Sequence, residues 1–182
     1  MPLSLFALGG DVLVFCHPSW LEDNRTPINL DALVNEVITI AASHAELEGA
    51  VEKLSIILQR LPISDDQRGT LELVASDLMV NAIDYGKPGA ARTIDLGIVY
   101  IPGVIVSVGV TDTLGPLPLE DFQLNPTTEA KLAELSEHGR GLYIAQSLAD
   151  LFVYVPNGRK ATKEIFVALK LDTKEVEHGK CD

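Results

Sequence analysis

At 182 residues, 47% of them apolar, the chain is long enough to close one hydrophobic core and is expected to form a single domain. Its 26 acidic against 14 basic side chains give a formal charge of −12, which argues against non-specific nucleic-acid binding and against attraction to an anionic membrane. The same surplus does not bar a phosphorylated ligand, because backbone N–H groups and magnesium neutralise phosphate locally.

Residues 1–36 read as an N-terminal extension. Within it Leu3–Leu8 and Val12–Cys16 suit a hairpin around Gly9, Gly10 and Asp11. No Lys or Arg precedes this apolar stretch, so it does not read as a signal peptide. No run approaches the roughly 18 apolar residues of a membrane-spanning helix. Pro18–Asn29 reads as loop, with Trp20 packing onto the body. Cys16 and Cys181 match no metal spacing, and the four histidines form no H-x-x-x-H pair, so a reduced cytoplasmic protein without zinc is expected.

Residues 37–172 carry the main domain and 173–182 a charged tail. Val37–Ser43 is a strand candidate. Leu47, Val51, Leu54, Leu58 and Leu61 recur at helical spacing over Glu46–Leu61, and Pro62 closes that helix. Ser64 with Gln67 has the form of a capping box and opens a second helix, Asp65–Tyr85. Its apolar stripe is Leu71, Val74, Ala75, Leu78, Ala82 and Tyr85, with Gly86 as a left-handed cap and Pro88 beyond. Asp77 and Asn81 stand one turn apart on the rim of that stripe, about 40° apart on the helical wheel. A carboxylate beside a neutral oxygen donor suits a hydrated cation, since magnesium keeps several waters and takes few protein ligands. Alone, the pair would mark only the solvent edge of an amphipathic helix.

Thr93–Tyr100 alternates Ile94, Leu96, Ile98 and Tyr100, the pattern of a half-buried strand. Ile101-Pro102-Gly103 turns into a more fully buried strand, Val104–Thr111. Asp112–His138 holds Pro116, Pro118 and Pro126, few periodic apolar residues, and a short helix is expected near Thr128–Leu135; a stretch of this kind inside a domain is often a lid. Gly139-Arg140-Gly141 opens a helix over Leu142–Leu151, and Phe152–Val155 pairs with Glu164–Leu171 around Asn157-Gly158. This order predicts an α+β fold, a two-layer α/β sandwich with a mixed, mostly antiparallel sheet covered on one face by three helices.

No phosphate-binding G-x-x-x-x-G-K-[ST], dinucleotide-binding G-x-G-x-x-G or serine-hydrolase elbow is present. Four elements instead follow in a fixed order: ELVASDLMVNAIDYG with Asp77 and Asn81; VSVGVTDTLGPLP with Asp112 and Gly115; HGRGLYIAQSLAD; and NGRKATKEIFVAL with Gly158 and Thr162. Together they resemble the histidine-kinase-like (GHKL, or Bergerat) ATP-binding fold of histidine kinases, gyrase and the Hsp90 chaperones. Within it the chain is similar to the small serine/threonine kinases that act as bacterial anti-sigma factors. The resemblance covers roughly Val37 to Leu171, most of the chain, and residues 1–35 lie outside it.

The resemblance implies ATP and Mg2+ as cofactors and assigns a task to each matching residue. Asn81 would coordinate the magnesium that bridges the phosphates, and Asp77 would be the general base that takes the acceptor hydroxyl's proton. Asp112 would accept from the adenine amino group, Gly115 would let the backbone approach the base, and Thr162 would add a hydroxyl nearby. Gly139, Arg140 and Gly141 would offer N–H groups and a helix start to the phosphates. Tyr85 and Leu142 read as pocket wall or core. The implied partners are an anti-anti-sigma (STAS-like) antagonist and a sigma factor, with homodimers common in the family.

Two departures keep two functions open. Asp77 stands where the family usually has Glu, shortening its reach by a methylene, about 1.5 Å, a misplacement that can cost on the order of a hundredfold in rate. Gly115 follows Asp112 by three positions where the family has two, and Pro116-Leu117-Pro118 replaces a further glycine. The first function is an ATP- and Mg2+-dependent serine/threonine kinase. The second is a catalytically weak or inactive ATP-binding module that switches partners. A sensor histidine-kinase fragment is the less expected reading, with no phospho-acceptor helix ahead of the domain.

Overall fold

Every second side chain of Thr93–Ile101 (β4), from Ile94 to Tyr100, is buried against helices, as a period of two requires. A computed structural model describes residues 4–7, 13–16, 33–85, 92–112, 140–157 and 162–171. The remaining described strands are Ser4–Ala7 (β1), Leu13–Cys16 (β2), Val34–Ala41 (β3), Ile105–Asp112 (β5), Leu151–Asn157 (β6) and Thr162–Lys170 (β7). They form one sheet in the order β1-β2-β6-β7-β5-β4-β3, and every described pairing is antiparallel. The helices are His44–Gln59 (α1), Asp65–Asp84 (α2) and Arg140–Leu148 (α3). Their buried residues join those of the sheet in one core, which gives the two-layer α+β sandwich that the element order predicts.

The N-terminal hairpin pairs β2 with β6, register Leu13 to Tyr154 through Cys16 to Leu151, and so widens the sheet to seven strands. β3 begins at Val34, three residues ahead of its expected start. At the centre, β5 is buried from Val106 to Val110. Val106, Val108 and Val110 face the helices. On the other face a Cβ at Gly109 would stand 2.2 Å from Phe166 Cδ1, so the ring lies across the glycine. Gly103, at φ +68°, makes the turn between β4 and β5, a conformation that side chains other than glycine's resist.

Helix ends are set by identifiable groups. Ser64 Oγ accepts from Gln67 N–H at 3.2 Å while Ser64 N–H donates to Gln67 Oε1 at 3.0 Å, the reciprocal capping box. Arg68 on α2 donates to the carbonyls of Leu58 and Leu61 at the end of α1, which also accept from the N–H groups of Leu61 and Ile63. α1 therefore stops at Gln59 and tightens through Arg60 and Leu61, two residues before the expected end. α3 stops at Leu148 rather than Leu151. Asp150 draws the chain into the sheet there, its N–H bonding Ala168 O at 3.1 Å and its carboxylate accepting from Lys170 N–H at 2.7 Å. Gly86, Pro88, the turn glycine Gly158, Trp20, the lid segment and the helix expected near Thr128–Leu135 lie outside the described residues.

Candidate functional site at one end of the sheet

Strand register fixes which residues share an end of the domain. Asp112, the last residue of β5, pairs with Lys163, and Thr162 beside it opens β7 opposite Asn157. Thr111 pairs with Asp95, so β4 begins at this same end. α2 runs toward it. Gln67 in its first turn donates to Lys170 O at the far end, while Arg92, next to the start of β4, donates to Ala82 O near its last turn. Asp77 and Asn81 sit in this later half of the helix. α3 runs the other way, since its C-terminal end leads through Asp150 into the start of β6 at the far end. Arg140 and Gly141, its first two residues, are thereby carried about 13 Å back toward the Asp112 end, at 1.5 Å per helical residue.

Asp77, Asn81, Asp112, Arg140, Gly141 and Thr162, scattered over 86 positions of sequence, thus gather at one end of the two-layer sandwich. For Arg140 and Thr162 the placement is that of the backbone. Gly115 and Gly139 lie outside the described residues.

Asp77 and Asn81 are both half-buried, on the rim of a stripe made by Leu71, Val74, Ala75, Leu78, Met79 and Ala82. Met79 belongs to that stripe although the sequence pattern omits it. Tyr85 does not belong: it is the C-cap, has left helical geometry, and is 46% exposed, so it is not core. Leu142 on α3 is partly buried against the core, as expected. Asp112 is 2% exposed, a carboxylate at the floor of the sheet end rather than a surface turn residue.

The electrostatics of this end are legible group by group. Burial pushes the Asp77 carboxyl above its ordinary 3.8, because desolvation penalises the charged form. α2 carries Asp65 and Asp66 in its first turn and no basic residue in its last, so its carbonyl end keeps its negative partial charge and favours a cation. The Arg92 guanidinium on Ala82 O meets one of those carbonyls. Asn81 Nδ2 and Arg92 Nε are nevertheless buried without an acceptor in the structure. An unmet buried donor is unfavourable by about 1–3 kcal/mol, and two at one helix end leave places for the acceptor oxygens of a ligand. A triphosphate with a divalent cation fits that combination. No group of three or more His, Cys, Asp or Glu side chains lies together among the described residues; one carboxylate and one carboxamide, Asp77 and Asn81, are a donor set that suits a cation keeping most of its water.

The sequence reading missed three features here. Arg92 is drawn to the end of α2 by a contact ten residues apart in sequence but across a loop. Gln146 is buried on α3, where the helical pattern flanking it is otherwise apolar. His44 at the start of α1 meets Asp84 at the end of α2 at 2.8 Å. Only the first carried a usable signal, a basic residue just ahead of a strand; the other two depend on packing between helices.

The sequence matches the pattern of the histidine kinase-like ATPase domain over residues 40–163. The chain belongs to the histidine kinase-like ATPase family. No curated protein matches it. Among solved structures, the RsbU and RsbW domains of Rv1364c from Mycobacterium tuberculosis share its fold with a TM-score of 0.53 at 12% identity, over 74% of this chain and 32% of that one. The histidine kinase-like ATPase chain thus spans about a third of that longer protein, and the likeness is one of fold. No helix among the described residues of this family member is long and apolar enough to cross a membrane.

Proposed function

We propose that the protein is an ATP- and Mg2+-dependent serine/threonine kinase of the anti-sigma-factor type, which phosphorylates a STAS-like antagonist and in its alternative state holds a sigma factor. One observation carries the reading: Asn81, with its amide nitrogen buried and unmet, stands a turn from a carboxylate whose pKa is raised by burial. Phosphoryl transfer asks a protein mostly for positioning and charge neutralisation. Bound magnesium would supply that neutralisation at the phosphates.

In this reading Asn81 turns its carboxamide oxygen to the cation and its Nδ2 to a phosphate oxygen. Asp77 accepts the proton of the acceptor serine or threonine hydroxyl, and its raised pKa makes it a stronger base than a solvated aspartate. Asp112 receives the adenine amino group, and its burial keeps water from competing. Gly139, Arg140 and Gly141 bring the N-terminal end of α3 to the phosphates, with Gly115 and Thr162 at the base. The likeness to RsbU and RsbW domains supports a partner-switching role.

A second reading rests on Asp77 itself: the shorter side chain suits a module that binds ATP and switches partners without transferring phosphate. Calorimetry with ATP and magnesium, followed by a radiolabelled-ATP assay on the antagonist captured from the native host, separates the two. Label on the antagonist is expected. Binding without label favours the switching module, and no nucleotide binding at millimolar ATP defeats both.

A further inference from the structure

We propose that the helix-free face of the sheet is a docking surface for a segment of this same chain, residues 17–32, which crosses it and lays Trp20 beside Phe166. The inference rests on strand register and on the burial of that face. It is independent of nucleotide and of the kinase reading.

Strand pairing aligns Cys16, Leu151, Ala168, Ser107, Val99 and Asn35 in one row across the sheet. The chain leaves the sheet at Cys16, at one end of this row, and returns at Val34, beside the other end. Five strand spacings separate the two ends, about 24 Å. Residues 17–32 can span that gap with length to spare, since an extended chain covers about 3.3 Å per residue. The helix side of the row is taken, because α1, α2 and α3 close on the sheet in one core.

The other face is not built for water. An antiparallel sheet with one wet face alternates apolar residues inward and polar ones outward. Here Val99, Ile101, Ile105, Leu151, Val153 and Phe166 point away from the helices, and all are half-buried outside the core. Among them Ser107 is 7% exposed and Ala168 3%, although no described helix or strand lies over them. Toward the Asp112 end the outward positions turn polar. Thr39 Oγ1 donates to Asp95 at 2.6 Å, and Thr111 Oγ1 donates to Glu164 at 3.1 Å. The apolar half of the face is therefore the half that holds the row joining Cys16 to Asn35.

The connecting segment carries matching groups. Trp20, the only tryptophan of the chain, follows Cys16 closely enough to land within about 14 Å of it, some three strand spacings. That radius takes in Leu151, Val153, Phe166 and Ala168 and excludes β4 and β3. An indole buries roughly 150–250 Å² and favours an aromatic neighbour, and the Phe166 ring lies within that radius. Ile28 and Leu30 follow on the way to β3.

A single tryptophan makes the test direct. In the full chain, Trp20 emission should be blue-shifted from that of free tryptophan and resist quenching by iodide. In a Cys16→Ser/Cys181→Ser background, a nitroxide on Val153→Cys should quench Trp20 strongly, and one on Leu73→Cys, exposed on α2, should not. Arg25 is the only trypsin site within residues 17–32. Phe166→Ala should speed cleavage there by about tenfold or more relative to cleavage at Arg60 in the same digest, which reports global unfolding. Trp20 emission like that of free tryptophan, equal quenching from Val153→Cys and Leu73→Cys, or an Arg25-to-Arg60 cleavage ratio unmoved by Phe166→Ala would each overturn the proposal.

Discussion

Replacing Asn81 by alanine separates a ligand-binding residue from a structural one, because the two roles move stability in opposite directions. Asn81 holds a buried amide nitrogen without an acceptor, so in the empty protein it is a liability of about 1–3 kcal/mol. Alanine also gains about 0.5 kcal/mol of helix propensity over asparagine in the interior of α2. Against these stands the packing lost with a half-buried side chain, on the order of 1 kcal/mol. The sum favours the variant by about 1 kcal/mol, which for a chain of this size raises the melting temperature by about 2–4 °C. ATP binding with magnesium should be lost in the same variant. Differential scanning calorimetry without nucleotide, paired with titration calorimetry with it, reads both quantities on one preparation. A variant that melts several degrees lower would show that Asn81 serves packing, and one that binds ATP as before would remove it from the site.

Asp77→Asn should keep ATP binding and stop phosphate transfer to the antagonist; equal labelling by the variant removes Asp77 as the base. The same change has a pH signature. A carboxyl whose folded pKa lies above its unfolded value holds its full stability below the unfolded value and loses it as pH rises through the folded one, so the wild type gives up stability from about pH 4 upward and the variant does not. Thermal melts at pH 3.5 and 7.5 should therefore favour Asp77→Asn only at the higher pH, and a constant difference would discount the burial of the carboxyl. Ser64→Ala removes the bond from Gln67 N–H to Ser64 Oγ, leaves the Ser64 N–H on Gln67 Oε1, and should cost about 1 kcal/mol of stability, read by urea unfolding with an unchanged slope. Gly109→Ala sets a methyl into the ring of Phe166 and should cost about 1–3 kcal/mol, and no loss would mean that the ring swings clear freely.

What could be read from the sequence was what neighbouring residues decide among themselves. The β4–β5 hairpin follows from strict alternation and the turn at Gly103, and the start of α2 follows from Ser64 and Gln67 three positions apart. The rim position of Asp77 and Asn81 follows from helical geometry alone. Tyr85 went astray because a wheel assumes that the helix continues, and at the C-cap it does not. Met79 was missed because α2 is buried on more than one side, by α1, the sheet and α3, which widens its apolar arc beyond a simple stripe. The place of the N-terminal hairpin was not legible at all. Gly9, Gly10 and Asp11 between two apolar stretches suggest that β1 and β2 pair with each other, and nothing local shows that β2 will meet β6, some 140 residues later.

In the proposed kinase, with Asp77 as the base, the substitution of Asp for Glu is less of a handicap than its length suggests. A shorter side chain gives up about 1.5 Å of reach, and misplacement on that scale can reduce the rate on the order of a hundredfold. A more basic carboxylate recovers part of this loss, since proton transfer improves as the pKa of the base approaches the working pH. Burial at the rim of α2 raises the Asp77 pKa, because desolvation penalises the charged form. An Asp77→Glu variant tests the balance. If reach governs, the rate of transfer rises; if the tuned carboxylate governs, the longer side chain moves toward solvent, its pKa falls back to the ordinary glutamate range, and the acid limb of the pH–rate profile shifts to lower pH with no gain at the plateau.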